Sequence, residues 1–209
     1  MKLTKKITLV LGLVAAAGAS FAQTSPTGTA PAGVLGQKYA GLSLGTADIK
    51  NLSRNQHSAS VGVNLPVTPT LDLGASYSYD WMRGPFSGYA NTFGTTATAY
   101  APWRGVKPFL GAGVGYSWAR FAGSREETIL WALAAGVEIP LQAVTVTPSI
   151  FYTDDFKRSA FSSQQLSYEV ELSHWFSPTA GAFGSVGRVD VLHSPARAWT
   201  YELGLRFKF

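Results

Sequence analysis

The feature that most constrains this chain is an apolar–polar alternation of period two that recurs in segment after segment and runs to the last residue. In the terminal "YELGLRFKF", Tyr201, Leu203, Leu205, Phe207 and Phe209 share one parity, and Glu202, Gly204, Arg206 and Lys208 share the other. That period belongs to a β-strand with two unlike faces. The same alternation marks "HSASVGVNL" (57–65), "TLDLGASYSYDW" (70–81), "FLGAGVGYSW" (109–118), "TILWALAAGVEI" (128–139), "VTVTPSIFY" (144–152) and "QLSYEVELSHWF" (165–176). Weaker runs lie near 37–47, 91–103 and 179–190, and no segment carries a sustained 3.6-residue apolar period. The expected count is ten strands, with eight as the alternative. Each is close to the roughly 9–11 residues that cross a bilayer when tilted.

The N-terminus has a different character. "MKLTKKITLVLGLVAAAGASFAQ" opens with Lys2, Lys5 and Lys6, continues in an apolar run from Ile7 to about Ala17, and ends in small residues. Residues 1–22 therefore read as a secretory signal peptide cleaved after Ala22, since the run is too short for a membrane-spanning helix. Residues 23–36, rich in Pro, Gly, Ser and Thr, read as a flexible leader. The remainder, 37–209, is one domain. The full chain carries a formal charge of +5, but three of its lysines lie in the signal peptide. The mature chain is nearly neutral, which removes the main support for a nucleic-acid partner. There is no cysteine, so burial and hydrogen bonding alone must hold the exported chain together.

The connections alternate in kind. "PVTPT" (66–70), "APWRGVKP" (101–108), "PLQA" (140–143) and "SPT" (177–179) are short and Pro-punctuated. Between them lie longer polar segments: "DIKNLSRNQ", "RGPFSGYAN", "RFAGSREE", "DDFKRSAFSS" and "DVLHSPARA". Such a chain is an up-and-down antiparallel meander with two unlike ends.

Which solvent the apolar face meets is decided by the other face and by the aromatics. Charged residues are only 14% of the chain, against about 25% in soluble domains. The polar parity is mostly Gly, Ser, Thr and Ala, a poor exterior in water and a reasonable barrel interior. Tyr79, Trp81, Tyr116, Trp118 and Tyr152 stand at the ends of strands entering the long loops. Trp131, Tyr168, Trp199 and Tyr201 stand near the starts of strands leaving them. One level of Trp and Tyr is what a membrane interface selects. Strands facing hydrocarbon leave no edge unpaired, so the sheet must close. A soluble lipocalin-like barrel is the architectural alternative.

With signal peptide, alternating strands, unlike ends and a terminal phenylalanine, the chain resembles the small Gram-negative outer-membrane β-barrel proteins, a group spanning porin-like, OmpA-like and OmpW-like barrels. The resemblance covers about residues 37–209. It implies an all-β, antiparallel, up-and-down transmembrane barrel in the cell outer membrane, with short periplasmic turns and longer extracellular loops. It also implies that Tyr201, Leu203, Leu205, Phe207 and Phe209 form the signal read by the barrel-assembly machinery. Outer-membrane lipids and that machinery are the partners expected.

No arrangement for catalysis stands out. His57 and His193 fall in or beside loops, and His174 lies on the lipid-facing parity near a turn. "HSPAR" and "YTDDF" each lack the partners that a hydrolase site needs. The expectation is a non-enzyme without metal or cofactor. The inward charges say more: Asp72, Lys107, Glu138, Arg206 and Lys208 toward the turn end, and Glu169, Glu171 and Glu202 higher, with Arg188 as a candidate partner. These either line a charged constriction, as in a small pore, or pair up and plug a narrow barrel. A surface-binding role through loops carrying Arg120, Arg125, Lys157, Arg158 and Arg197 is the functional alternative.

Overall fold

The structure is a computed structural model that describes residues 33–50, 55–83, 87–121, 124–156, 164–192 and 194–209. The alternating segments form β1 (Tyr39–Ile49), β2 (Gln56–Thr68), β3 (Leu71–Met82), β4 (Gly88–Tyr100), β5 (Lys107–Phe121), β6 (Ser124–Leu141), β7 (Val144–Asp155), β8 (Gln165–Trp175), β9 (Ala180–Val191) and β10 (Arg197–Lys208). Each strand pairs antiparallel with its sequence neighbours, and β10 pairs back onto β1 from Tyr39↔Lys208 to Ile49↔Ala198. Ten strands, closed, is the architecture expected from the alternation.

The strands run from 11 residues in β1 to 18 in β6, and all but β1 and β8 exceed the expected span. The excess is clearest in the β5–β6 hairpin, where pairing continues to Phe121↔Ser124. The "RFAGSREE" segment expected as a long loop is therefore mostly ladder, since Arg120 and Arg125 still face each other as a cross-strand pair. On the opposite end, "APWRGVKP" contains a small turn of its own. Trp103 and Val106 exchange backbone hydrogen bonds at 2.8 and 3.0 Å around Arg104 and Gly105, both with positive φ, the combination a type I′ turn needs.

The register also sets the barrel's shape. A row of directly paired residues that leaves β6 at Arg125 and is followed once around the barrel returns to β6 at Val137, twelve residues further along. With ordinary strand spacings this stagger gives a tilt of about 40° and a backbone radius of about 10 Å. Such a bore is narrow enough for side chains to fill.

They do fill it, with polar groups. Ser43, Asn64, Asp72, Ser117, Glu138, Thr145, Glu171 and Arg206 are buried, whereas Leu42, Leu44, Leu110, Leu133 and Leu203 are exposed, Leu203 to 73%. This is the reverse of a soluble barrel, whose apolar face turns inward. The surface is built for hydrocarbon, and the lipocalin-like alternative fails on it.

Candidate functional site in the barrel lumen

The lumen is organised around an ion pair. Arg206, on β10, donates from Nη1 and Nη2 to the two carboxylate oxygens of Glu171, on β8, at 2.9 and 2.6 Å. Both side chains are almost wholly buried. The guanidinium also lies 4.0 Å from the centre of the Phe183 ring and 5.5 Å from that of Tyr39. Planar, forked and weakly hydrated, arginine suits a bidentate carboxylate and an aromatic face together. Phe183 reaches that position across Gly204, where a Cβ would collide with its ring. Phe109 lies over Gly136 in the same way. Gly204 and Gly136 thus accommodate aromatic rings.

Toward the turn end the mouth is crossed by the chain itself. Residues 33–37, just before β1, fold into the barrel, with Val34 and Leu35 fully buried. The Val34 and Leu35 amides donate to Glu138 Oε2 at 2.5 and 2.8 Å, and the Gly36 amide donates to Asp72 Oδ2 at 3.1 Å. Lys107 Nζ donates to the Leu35 carbonyl at 3.2 Å and pairs with Glu138 Oε1 at 3.2 Å. Asn64 Nδ2 lies 2.9 Å from both the Gln37 carbonyl and Asp72 Oδ2, and Trp175 Nε1 donates to the Gly33 carbonyl at 3.0 Å. Leu35 packs against Tyr100 and Phe109 in an apolar cluster. Residues 33–36 were expected in the flexible leader; instead they form a strap, because Glu138 and Asp72 accept the backbone donors that an unpaired segment must satisfy inside a barrel. The rest of the expected leader, residues 23–32, and the expected signal peptide lie outside the described residues.

Higher in the lumen, Glu169 and Glu202 lie beside the hydroxyls of Ser185 and Ser43. With Gly45, Ser58 and Ser78 they border a cavity of about 30 Å³, room for about two waters. Above it, Gln56 Nε2 donates to Asp80 Oδ1 at 3.2 Å.

Eight of the nine expected lumen charges point inward: Asp72, Lys107 and Glu138 hold the strap, Glu171 and Arg206 pair, Glu169 and Glu202 lie at the cavity, and Lys208 Nζ sits 4.0 Å from the Trp175 ring centre. Arg188 does not. The β8–β9 register sets it opposite Tyr168, and the β9–β10 register opposite Trp199, both on the outer face. It pairs there with Asp190 at 2.8 Å. The error has a physical source: β9 reads "AGAFGSVGRVDV", and small residues on both parities leave its register to be set by its neighbours.

The nine expected girdle aromatics all lie on the outer face. Tyr79 stacks on Trp81 (5.6 Å), Tyr116 is tilted against Trp118 (5.7 Å) and Trp131 against Tyr152 (5.3 Å). On the tilt above, the nine fall in a band about 11 Å tall. Tyr77 and Tyr89 join it unforeseen, Tyr77 donating to Asn91 Oδ1 at 2.5 Å and Tyr89 lying 6.0 Å from Tyr79. Tyr201 lies in the band, and Leu203, Leu205, Phe207 and Phe209 share the outer face below it. His57 is exposed and lies 5.8 Å from Trp81. His174 faces outward with Nδ1 2.5 Å from the Ala143 carbonyl. His193, Lys157 and Arg158 lie outside the described residues.

The residues that sequence reasoning missed are the inward aromatics Tyr39, Tyr100, Phe109, Trp175 and Phe183, together with Asn64 and Asp80. The available signal was parity alone: Asp80 shares that of Asp72, and Trp175 that of Glu171.

No family model matches the chain, and no curated protein does. Among solved structures, the translocator domain of the autotransporter NalP from Neisseria meningitidis aligns with a TM-score of 0.59 at 6% identity, over 98% of this chain and 98% of that one. The Neisserial surface protein A aligns at 16% identity and a TM-score of 0.44, over 82% of this chain and 96% of that one. The KdgM porin aligns at 12% and 0.46, over 81% and 99%. The fold is that of the outer-membrane β-barrels, in keeping with the apolar outer surface.

Proposed function

We propose that the protein is an integral outer-membrane barrel that keeps its lumen shut and serves a structural or surface role without catalysis. The supporting observation is Glu138, which is fully buried and accepts two strap amides while pairing with Lys107. A pore-lining carboxylate would face water. Here it fastens backbone across the mouth, and the Arg206–Glu171 pair fills the section above. In this reading residues 1–22 direct export, the terminal strand engages the assembly machinery, and the loop end faces outward.

The test is single-channel recording in planar bilayers with the mature chain, residues 23–209. The expected record is free of stepwise conductance. Regular, reproducible steps would replace this reading with the small-pore one.

A further inference from the structure

The outer face carries a feature that neither the sealed lumen nor a plain lipid belt requires. At the loop end, Tyr79, Trp81, Tyr89, Arg83 and Arg120 border an open groove of about 880 Å³. Trp81 is paired directly with Tyr89, and Tyr89 with Arg120, so ring, ring and guanidinium stand side by side across three strands. Arg120 also faces Arg125 across the β5–β6 ladder, a like-charge arrangement that is unfavourable on its own. Arg125 is neutralised by Glu127 at 2.6 Å. Among the described residues, neither Arg83 nor Arg120 takes part in any of the four ion pairs. The groove therefore offers two guanidinium groups without carboxylates, at the upper edge of the aromatic band, where acyl chains give way to head groups.

Guanidinium groups favour oxyanions that accept two parallel N–H bonds, and at this depth the oxyanion a membrane supplies is a lipid phosphate. Below them, the exposed faces of Tyr79 and Tyr89 and the partly exposed Trp81 suit the glycerol or sugar and the first acyl carbons. We propose that this groove binds one anionic, phosphate-bearing lipid of the outer leaflet, with Arg83 and Arg120 on the phosphate and the three aromatics against the body of the lipid. The proposal rests on the barrel spanning a bilayer, and is independent of whether the lumen conducts.

The test is native mass spectrometry of the detergent-released barrel after incubation with dioleoylphosphatidylglycerol or dioleoylphosphatidylcholine. Heat-modifiable mobility on gels reports separately whether the barrel is folded. The native protein is expected to retain one phosphatidylglycerol in preference to phosphatidylcholine by about tenfold. R83Q/R120Q, folded by the gel criterion, is expected to lose that preference, and R197Q, a loop-end arginine away from the groove, to keep it. Equal retention of the two lipids by the native protein would overturn the proposal, as would an unchanged preference in R83Q/R120Q. Displacement of the lipid by an equal concentration of inorganic phosphate would also overturn it, marking a site for a soluble anion.

Discussion

Arg206 and Glu171 face each other across the lumen from β10 and β8, joined by two hydrogen bonds of 2.9 and 2.6 Å and separated in the barrel wall by β9. The pair ties together two strands that share no ladder, in the half of the barrel that closes last in chain order. Its stability cost is asymmetric: removing one member leaves a buried charge, whereas removing both leaves only volume to fill.

R206M alone is expected to destabilise the folded barrel by about 3–5 kcal/mol. R206M/E171L is expected to recover most of that loss. Urea unfolding in detergent, followed by the gel mobility of folded and unfolded forms, measures both. A double variant no more stable than the single one would show that the pair contributes through something other than charge compensation.

The strap is held chiefly by Glu138, so E138Q should loosen it without opening the ladder. The chain contains no cysteine, which makes V34C a clean reporter on a fully buried position. The thiol is expected to react with a water-soluble methanethiosulfonate about tenfold or more faster in V34C/E138Q than in V34C, from loss of a charge-assisted acceptor. Equal rates in the two would detach Glu138 from the closure.

Leu203 stands on the outer belt, and L203R distinguishes lipid from water as its solvent. In a bilayer the substitution is expected to cost about 2–4 kcal/mol near the midplane, read as a lower urea midpoint in phospholipid vesicles. The same change on a water-exposed surface would stay within about 0.5 kcal/mol. A change that small would overturn the membrane-spanning assignment.

Phe209 is 63% exposed, with Lys38 Nζ 4.5 Å from its ring centre. Deleting it should scarcely alter unfolding in detergent, yet sharply reduce the amount of folded protein in the outer membrane of cells. Parallel losses in both measurements would make Phe209 a packing residue and overturn the proposed role in assembly.

Much of this molecule is written in a local code. Alternation along one strand says which side chains share a face, and Leu71 to Trp81 and Tyr201 to Phe209 were assigned from the sequence alone. The absence of cysteine, the paucity of charge and the aromatic level follow equally without coordinates. Closure follows because hydrocarbon tolerates no unpaired edge. Where both parities are small, as around Arg188, the alternation carries no information, and only pairing with β8 and β10 turns that side chain outward.

What the sequence could not determine is who meets whom across the lumen. The stagger of twelve residues brings Arg206 to Glu171 and Glu138 to the Val34 and Leu35 amides, more than a hundred residues away. Such contacts depend on ladder register summed around ten strands, and no local pattern records that sum. Residues 33–36 look like the end of a flexible leader until Glu138 and Asp72 are found to receive the amides of Val34, Leu35 and Gly36. The sequence by itself determined a barrel and the solvent on each face; the tertiary structure alone decided that Val34 and Leu35 meet Glu138 inside it, because that is a relation between residues that only register brings together.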